Sequence, residues 1–147
     1  MPTTSRETIG VEMARASRLW RTRLDERLEP LGLTQAKWLV LLHLHRAGGE
    51  MPQKDLAQSI GVEGPTMVRV LDGLERRGLT ERRGRACDRR VRDVLLTPAA
   101  DAVLEDIMRI ATELREEVLA DISEDDLAAF RRVVVAMLGN MDRAALK

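Results

Sequence analysis

Residues 55–100, DLAQSIGVEGPTMVRVLDGLERRGLTERRGRACDRRVRDVLLTPAA, decide the fold. Their first part reads, with the preceding residues, as two short helices separated by a tight break. In residues 52–60, PQKDLAQSI, one face carries Leu56, Ala57 and Ile60, and Gly61-Val62-Glu63 interrupts the pattern. In residues 64–79, GPTMVRVLDGLERRGL, the residues Met67, Val70, Leu71 and Leu74 recur at three- and four-residue steps, the spacing of one helical face. Gly78 closes this helix. The period then changes. Residues 79–83 and 91–96 read as two short strands, and the arginine-rich residues 83–90 connect them as an exposed hairpin. Two helices across a short break, followed by a hairpin, predict a helix-turn-helix carrying a β wing.

Outward from this centre the chain reads as helix. Upstream, Ile9, Met13, Ala16, Trp20, Leu24, Leu28 and Leu31 mark a long amphipathic helix that Pro30 and Gly32 end. Thr34 stands as N-cap of a second helix, containing Trp38, Leu41, Leu42 and Leu44 and stopping at Gly48-Gly49. Downstream, Pro98 starts a helix at its first turn, with the stripe Val103, Ile107, Ile110, Leu114 and Val118. Ser123 with Asp126 is a near match to a capping box and opens a last helix, striped by Leu127, Phe130, Val134, Met137 and Met141. The fold class is therefore mainly α: a winged helix-turn-helix with a small β-hairpin wing and N- and C-terminal dimerisation helices. Residues 34–98 are expected to form the winged helix-turn-helix lobe, the kind of unit that binds DNA, and residues 5–33 and 99–147 one intertwined dimerisation region. The terminal helices carry more apolar surface than a segment of this size covers alone, and an identical subunit is the simplest cover.

Composition is consistent with this. Only Trp20, Trp38 and Phe130 are aromatic, so Leu, Val, Ile, Met and Ala build the core, which suits helices. The formal net charge is +0, which alone argues against a polyanion partner. The distribution of that charge argues the other way: residues 69–92 hold nine arginines against four acids, a local +5, and residues 101–126 hold ten acids against two arginines, a local −8. The local field is what meets the DNA. The single cysteine, Cys87, excludes an intrachain disulfide and suits a reducing compartment. The N-terminal MPTTSRETIG lacks the apolar run of a signal peptide, and no apolar run is long enough to span a bilayer. A cytoplasmic protein with no membrane contact is expected.

The second helix of the pair displays Pro65, Thr66, Arg69, Asp72 and Arg76 opposite its core stripe. Such a face enters the major groove with its N-terminal residues, here Glu63, Gly64 and Pro65 onward, nearest the base edges. Arg69 has the chemistry to donate a bidentate pair to guanine, and Thr66 can meet a phosphate or a thymine methyl. Asp72 is close enough along the helix to orient Arg69 or Arg76. Arg82, Arg83, Arg85, Arg89, Arg90 and Arg92 crowd into eleven residues with Asp88 the only acid among them. An arginine hairpin of this kind suits the narrow minor groove, with Asp88 holding an arginine from beneath. Gln53, Lys54, Arg82 and Thr66 are the expected phosphate contacts.

Other features read structurally. Trp20 and Trp38 lie on apolar stripes and read first as packing. Cys87, among arginines, is a redox candidate whose incidental reading leads. His43 and His45 are two apart and point to different faces, so no metal site is expected. No nucleophile-base pair, phosphate-cradling loop or paired carboxylate suggests an enzyme, and no cofactor is implied. A winged-helix protein-interaction module is the alternative reading, although it has no need of so dense an arginine wing.

The same central stretch resembles the signature region of the MarR family of transcriptional regulators, closest to its SlyA branch. Asp88-Arg89-Arg90 followed by Leu96-Thr97 matches the family's wing motif, and Leu31-Gly32-Leu33-Thr34 before Trp38 matches that branch. The resemblance implies a triangular homodimer on a pseudo-palindromic operator, with double-stranded DNA as partner. It places Arg69 on the family's major-groove arginine, Arg90 on the minor-groove wing arginine and Asp88 on the supporting wing aspartate. It further implies a small aromatic or phenolic carboxylate effector near Arg18, Arg21, Trp38 and Leu42. Leu42 stands where close SlyA-type relatives carry histidine, and Ala36 where they carry threonine.

Overall fold

The computed structural model describes residues 5–145, so parts of two readings, the absence of a signal peptide over residues 1–4 and the end of the dimerisation region at 146–147, lie outside the described residues. The chain divides into two compact units, Met1–Leu114 and Arg115–Lys147. In the first, α1 (Ser5–Leu28) runs into a 3-10 turn (Glu29–Leu31). There follow α2 (Gln35–Arg46), β1 (Glu50–Pro52), α3 (Gln53–Ile60), α4 (Gly64–Arg76), β2 (Thr80–Gly84), β3 (Arg92–Leu96) and α5 (Ala100–Val118), the last belonging to this unit as far as Leu114.

The helical boundaries have local causes. Pro30 lies in the 3-10 turn after α1, and Gly32 at φ 68 takes the left-handed conformation that an L side chain avoids. Thr34 occupies the N-cap position of α2 but makes no side-chain capping hydrogen bond, so its role is backbone geometry alone. Between α3 and α4 Gly61, at φ 78, donates its N–H to the Ala57 carbonyl at 2.9 Å and turns the chain within three residues. Gly78, at φ 71, ends the second helix of the pair, whose regular part stops at Arg76 rather than at residue 79.

One strand escaped the sequence pattern. β1, three residues ending in proline, pairs with β3 in the register Glu50↔Leu95 to Pro52↔Asp93. The sheet order is β1-β3-β2, all antiparallel, so the wing hairpin is anchored along a third strand next to α2. Three residues show no period, and Pro52 read as the start of the next helix. Proline is tolerated there because β1 is an edge strand.

The core of this unit is almost wholly aliphatic. Leu41, Leu44, Leu56, Met67, Leu71, Leu74, Val94 and Ile107 are completely buried, and Leu24 and Leu28 of α1 join the same cluster. Trp38 lies among them, 2% exposed, with its indole N–H donating to Asp25 Oδ1 at 3.2 Å. Trp20 packs against the cluster, partly buried. The compact unit thus extends beyond residues 34–98, because α1 and α5 supply core leucines to it.

In the second unit, α6 (Glu124–Ala145) follows the end of α5. The expected cap is present in part: the Asp126 N–H donates to Ser123 Oγ at 3.1 Å, and the Ser123 hydroxyl donates to the Asp126 carboxylate at 2.7 Å. Asp126 therefore bonds the serine side chain rather than its backbone. None of the α6 stripe is buried, and Phe130 (61% exposed) and Met141 (56%) stand open to solvent.

Candidate nucleic-acid interface

The outer face of α4 is built by default. Met67, Leu71 and Leu74 must face the core, so the opposite side is left to Pro65, Thr66, Arg69 and Arg76, all exposed. Glu63 sits at the N-cap without a side-chain hydrogen bond, and Gly64 and Pro65 form the first turn. The early N–H groups of α4 are thus left without a side-chain acceptor, the condition under which a helix start receives a phosphate. Among the described residues Arg69 and Arg76 join no ion pair, and their guanidiniums are free to reach outward. Val68, 40% exposed, adds an apolar patch beside them that the sequence pattern did not single out.

The wing is more tightly tied than its composition suggested. Arg82 on β2 donates to Glu75 through Nε at 2.8 Å and Nη2 at 2.7 Å, and also to Asp72. Its side chain is only 16% exposed. Expected as a phosphate contact, Arg82 is instead held by two carboxylates of α4, which leaves it poorly placed for that duty. Asp72 correspondingly orients Arg82, not Arg69 or Arg76. Arg85 forms a bidentate pair with Asp93, both bonds 2.7 Å, and so ties the start of the wing loop back to β3. Asp88 holds backbone rather than a guanidinium: its Oδ1 accepts the Arg90 N–H at 2.9 Å, while the Val91 N–H reaches the Asp88 carbonyl at 3.1 Å. The turn this makes leaves Arg89 and Arg90 exposed at the tip, without ion pairs among the described residues. Arg83 pairs with the neighbouring Glu81.

On α3, Lys54 is exposed, but Gln53 is half-buried with its amide oxygen turned inward and without a hydrogen-bond partner among the described residues. A further arginine was missed in the sequence. Arg77, just beyond α4, donates to the carbonyls of Gly32 and Leu31 at 3.1 and 3.0 Å, closing the turn before α2 across a separation of 45 residues. No local pattern carries that information. The four residues expected around an effector differ in exposure. Arg18 and Arg21 border a shallow surface hollow with Ser17 and Gln35, whereas Trp38 and Leu42 are core.

Arg82 draws Glu75 below the ordinary carboxylate range through its hydrogen bonds, and Arg85 does the same to Asp93. Groups with depressed folded pKa values stabilise above their unfolded values, about 4, and lose that contribution as pH falls through the folded ones. The β2–β3 wing is therefore expected to hold constant from pH 8 to pH 5 and to loosen below about pH 4. Amide resonances of residues 80–96 followed against pH measure this, and loosening that begins near neutrality contradicts it.

The family model for the MarR family matches residues 31–91, the span from the end of the 3-10 turn to the wing. A solved MarR-family transcriptional regulator from Silicibacter pomeroyi is 30% identical, with a TM-score of 0.76 over 87% of this chain and 86% of that one. The chain belongs to the MarR family. The transcriptional regulator PA3341 is nearer in sequence at 48% identity, with a TM-score of 0.84 over 92% of this chain and 98% of that one. MepR of S. aureus, solved in its DNA-binding conformation, shares the fold at 24% identity and a TM-score of 0.78, covering 91% and 98%. As in other MarR proteins, the winged helix is the chain's central element and the arginine hairpin its wing. No helix among the described residues is long and apolar enough to cross a membrane.

Proposed function

We propose that this MarR-family regulator binds double-stranded DNA as a homodimer and represses or modulates transcription from a pseudo-palindromic operator. The observation that carries the reading is the disposition of unpaired arginines: Arg69 on the outer face of α4, and Arg89 and Arg90 at the wing tip. A solvated surface gains nothing from holding like charges this close, whereas a polyanion neutralises them. In this reading α4 reads base edges in the major groove through Arg69, with the residues from Glu63 to Pro65 leading into the groove, and with Thr66 and the uncapped N–H groups of the first turn toward the phosphates. The wing tip enters the minor groove with Arg90 and Arg89. Lys54 contacts phosphate, and Gln53 does so through its amide nitrogen.

The homodimer is supported by apolar surface in each unit. Ile9, Val11 and Leu19 of α1 are exposed, as are Phe130, Val133, Leu138 and Met141 of α6, more than isolated surface residues explain. MarR proteins act as DNA-binding dimers, and the acid-rich stretch of residues 101–126 keeps DNA away from the dimerisation region, residues 5–33 and 99–147. The SlyA-like segment Leu31-Gly32-Leu33-Thr34 before Trp38 favours that branch. A small aromatic carboxylate as effector is supported by Arg18 and Arg21, which flank Ser17 and Gln35 at one hollow. Its action requires different affinities for two spacings of the recognition helices.

Arg90→Ala tests the wing. In the homodimer it removes one neutralised phosphate per subunit, and should lower the slope of log K against log salt by about 1.8 and weaken all sequences alike. Fluorescence anisotropy on one duplex between low and moderate salt reads the slope. An unchanged slope with unchanged affinity removes Arg90 from the interface.

A further inference from the structure

Two acids on a helix that faces DNA are electrostatically misplaced. Asp72 lies on the outer side of α4, and Glu75 lies at its flank. Each would repel phosphate, yet neither is turned away from α4's exposed half or replaced by a neutral residue. Both instead converge on one guanidinium from another element. Arg82 of β2 donates three hydrogen bonds, two to Glu75 and one to Asp72, while its neighbour Arg83 is 66% exposed. Arg82 sits opposite Val94, a completely buried residue of β3, so the fork is fixed at its base by the sheet as well.

We propose that Arg82 is a positioning residue: forked between Asp72 and Glu75, it sets the wing against the recognition helix so that Arg69 and Arg90 engage their grooves together. The proposal rests on the DNA reading above. Its mechanism is geometric. A planar guanidinium with paired donors resists rotation about more than one axis, which a single ammonium contact does not. The covalent link between α4 and the wing is only the short segment of residues 77–79. Without the fork, the wing keeps its pairing in the sheet but loses its tie to α4, and fixing its angle against α4 on binding costs entropy that opposes association.

The charges make the test discriminating. The pair of substitutions Asp72→Asn with Glu75→Gln removes two negative charges from a DNA-facing surface while nearly preserving shape. If the acids only repel phosphate, or if Arg82 is a phosphate contact they restrain, binding to every duplex tightens. If they hold the wing, binding of the full-length protein to its selected operator weakens by about tenfold while binding to a scrambled duplex does not weaken. Arg82→Lys keeps the charge and is expected to weaken operator binding as well; a phosphate contact would tolerate it.

Hydrogen exchange in the free protein supplies the readout that needs no DNA. Amides of β2 and β3 should exchange faster in both variants, with those of α2 and α5 unchanged, which also shows that the fold is intact. Unchanged exchange in the wing, or tighter binding to operator and scrambled duplex alike, overturns the proposal. Faster wing exchange in a protein that selects no DNA sequence would leave the fork standing and overturn the DNA reading instead.

Discussion

Arg69→Ala is expected to erase preference at one base pair per half-site while leaving the salt slope nearly intact. A bidentate arginine-guanine contact is worth about 1–3 kcal/mol, a factor of roughly 5 to 150 in discrimination per half-site. With two half-sites in the proposed operator, one substitution removes both contacts. The structure supports the size of the estimate because Arg69 has no competing ion pair among the described residues: Asp72, its expected partner, is taken by Arg82. Competition binding against operators substituted one base pair at a time measures it. A loss that is equal on all sequences would make Arg69 a phosphate contact, with no part in readout.

Leu74→Ala should be strongly destabilising. Leu74 is completely buried beneath α4 in the aliphatic cluster. Deleting it removes transfer free energy and leaves a cavity, together about 2–5 kcal/mol, a large share of a domain's total of roughly 5–15 kcal/mol. Val68→Ala on the other side of the same helix, where the residue is 40% exposed, should cost below about 0.5 kcal/mol. Chemical denaturation of both variants at one fixed protein concentration makes the comparison, since association shifts apparent stability. Equal losses would mean that α4 is not seated as described.

Helix α4 and the wing were legible because their patterns are local. Met67, Val70, Leu71 and Leu74 repeat within two turns, and the break at Gly61 announces itself through glycine's left-handed φ. The exposed arginines were legible as a charge cluster, but which of them are free was not. Arg82 and Arg85 look like Arg89 and Arg90 in the sequence, and only pairing across elements separates them. Arg82 reaches acids seven and ten residues earlier, Arg85 an acid eight residues later, and Arg77 two carbonyls more than forty residues back. Such contacts depend on the hairpin register and the packing of α4, which no periodicity records. β1 escaped for a different reason: its identity comes from β3, not from its own three residues. That Leu24 and Leu28 join the core with residues beyond 34 was not legible, since an amphipathic stripe does not say which partner covers which part of it.

Selection of DNA from a random duplex library by the purified full-length protein tests the central claim most directly. A dimer presenting two α4 helices predicts an enriched inverted repeat with half-site centres about 10 base pairs apart, one helical turn. Enrichment of that repeat, lost at one position per half-site in Arg69→Ala, is the expected result. Weak, salt-sensitive binding without any enriched sequence would contradict the account and leave the arginines as a basic surface that reads nothing.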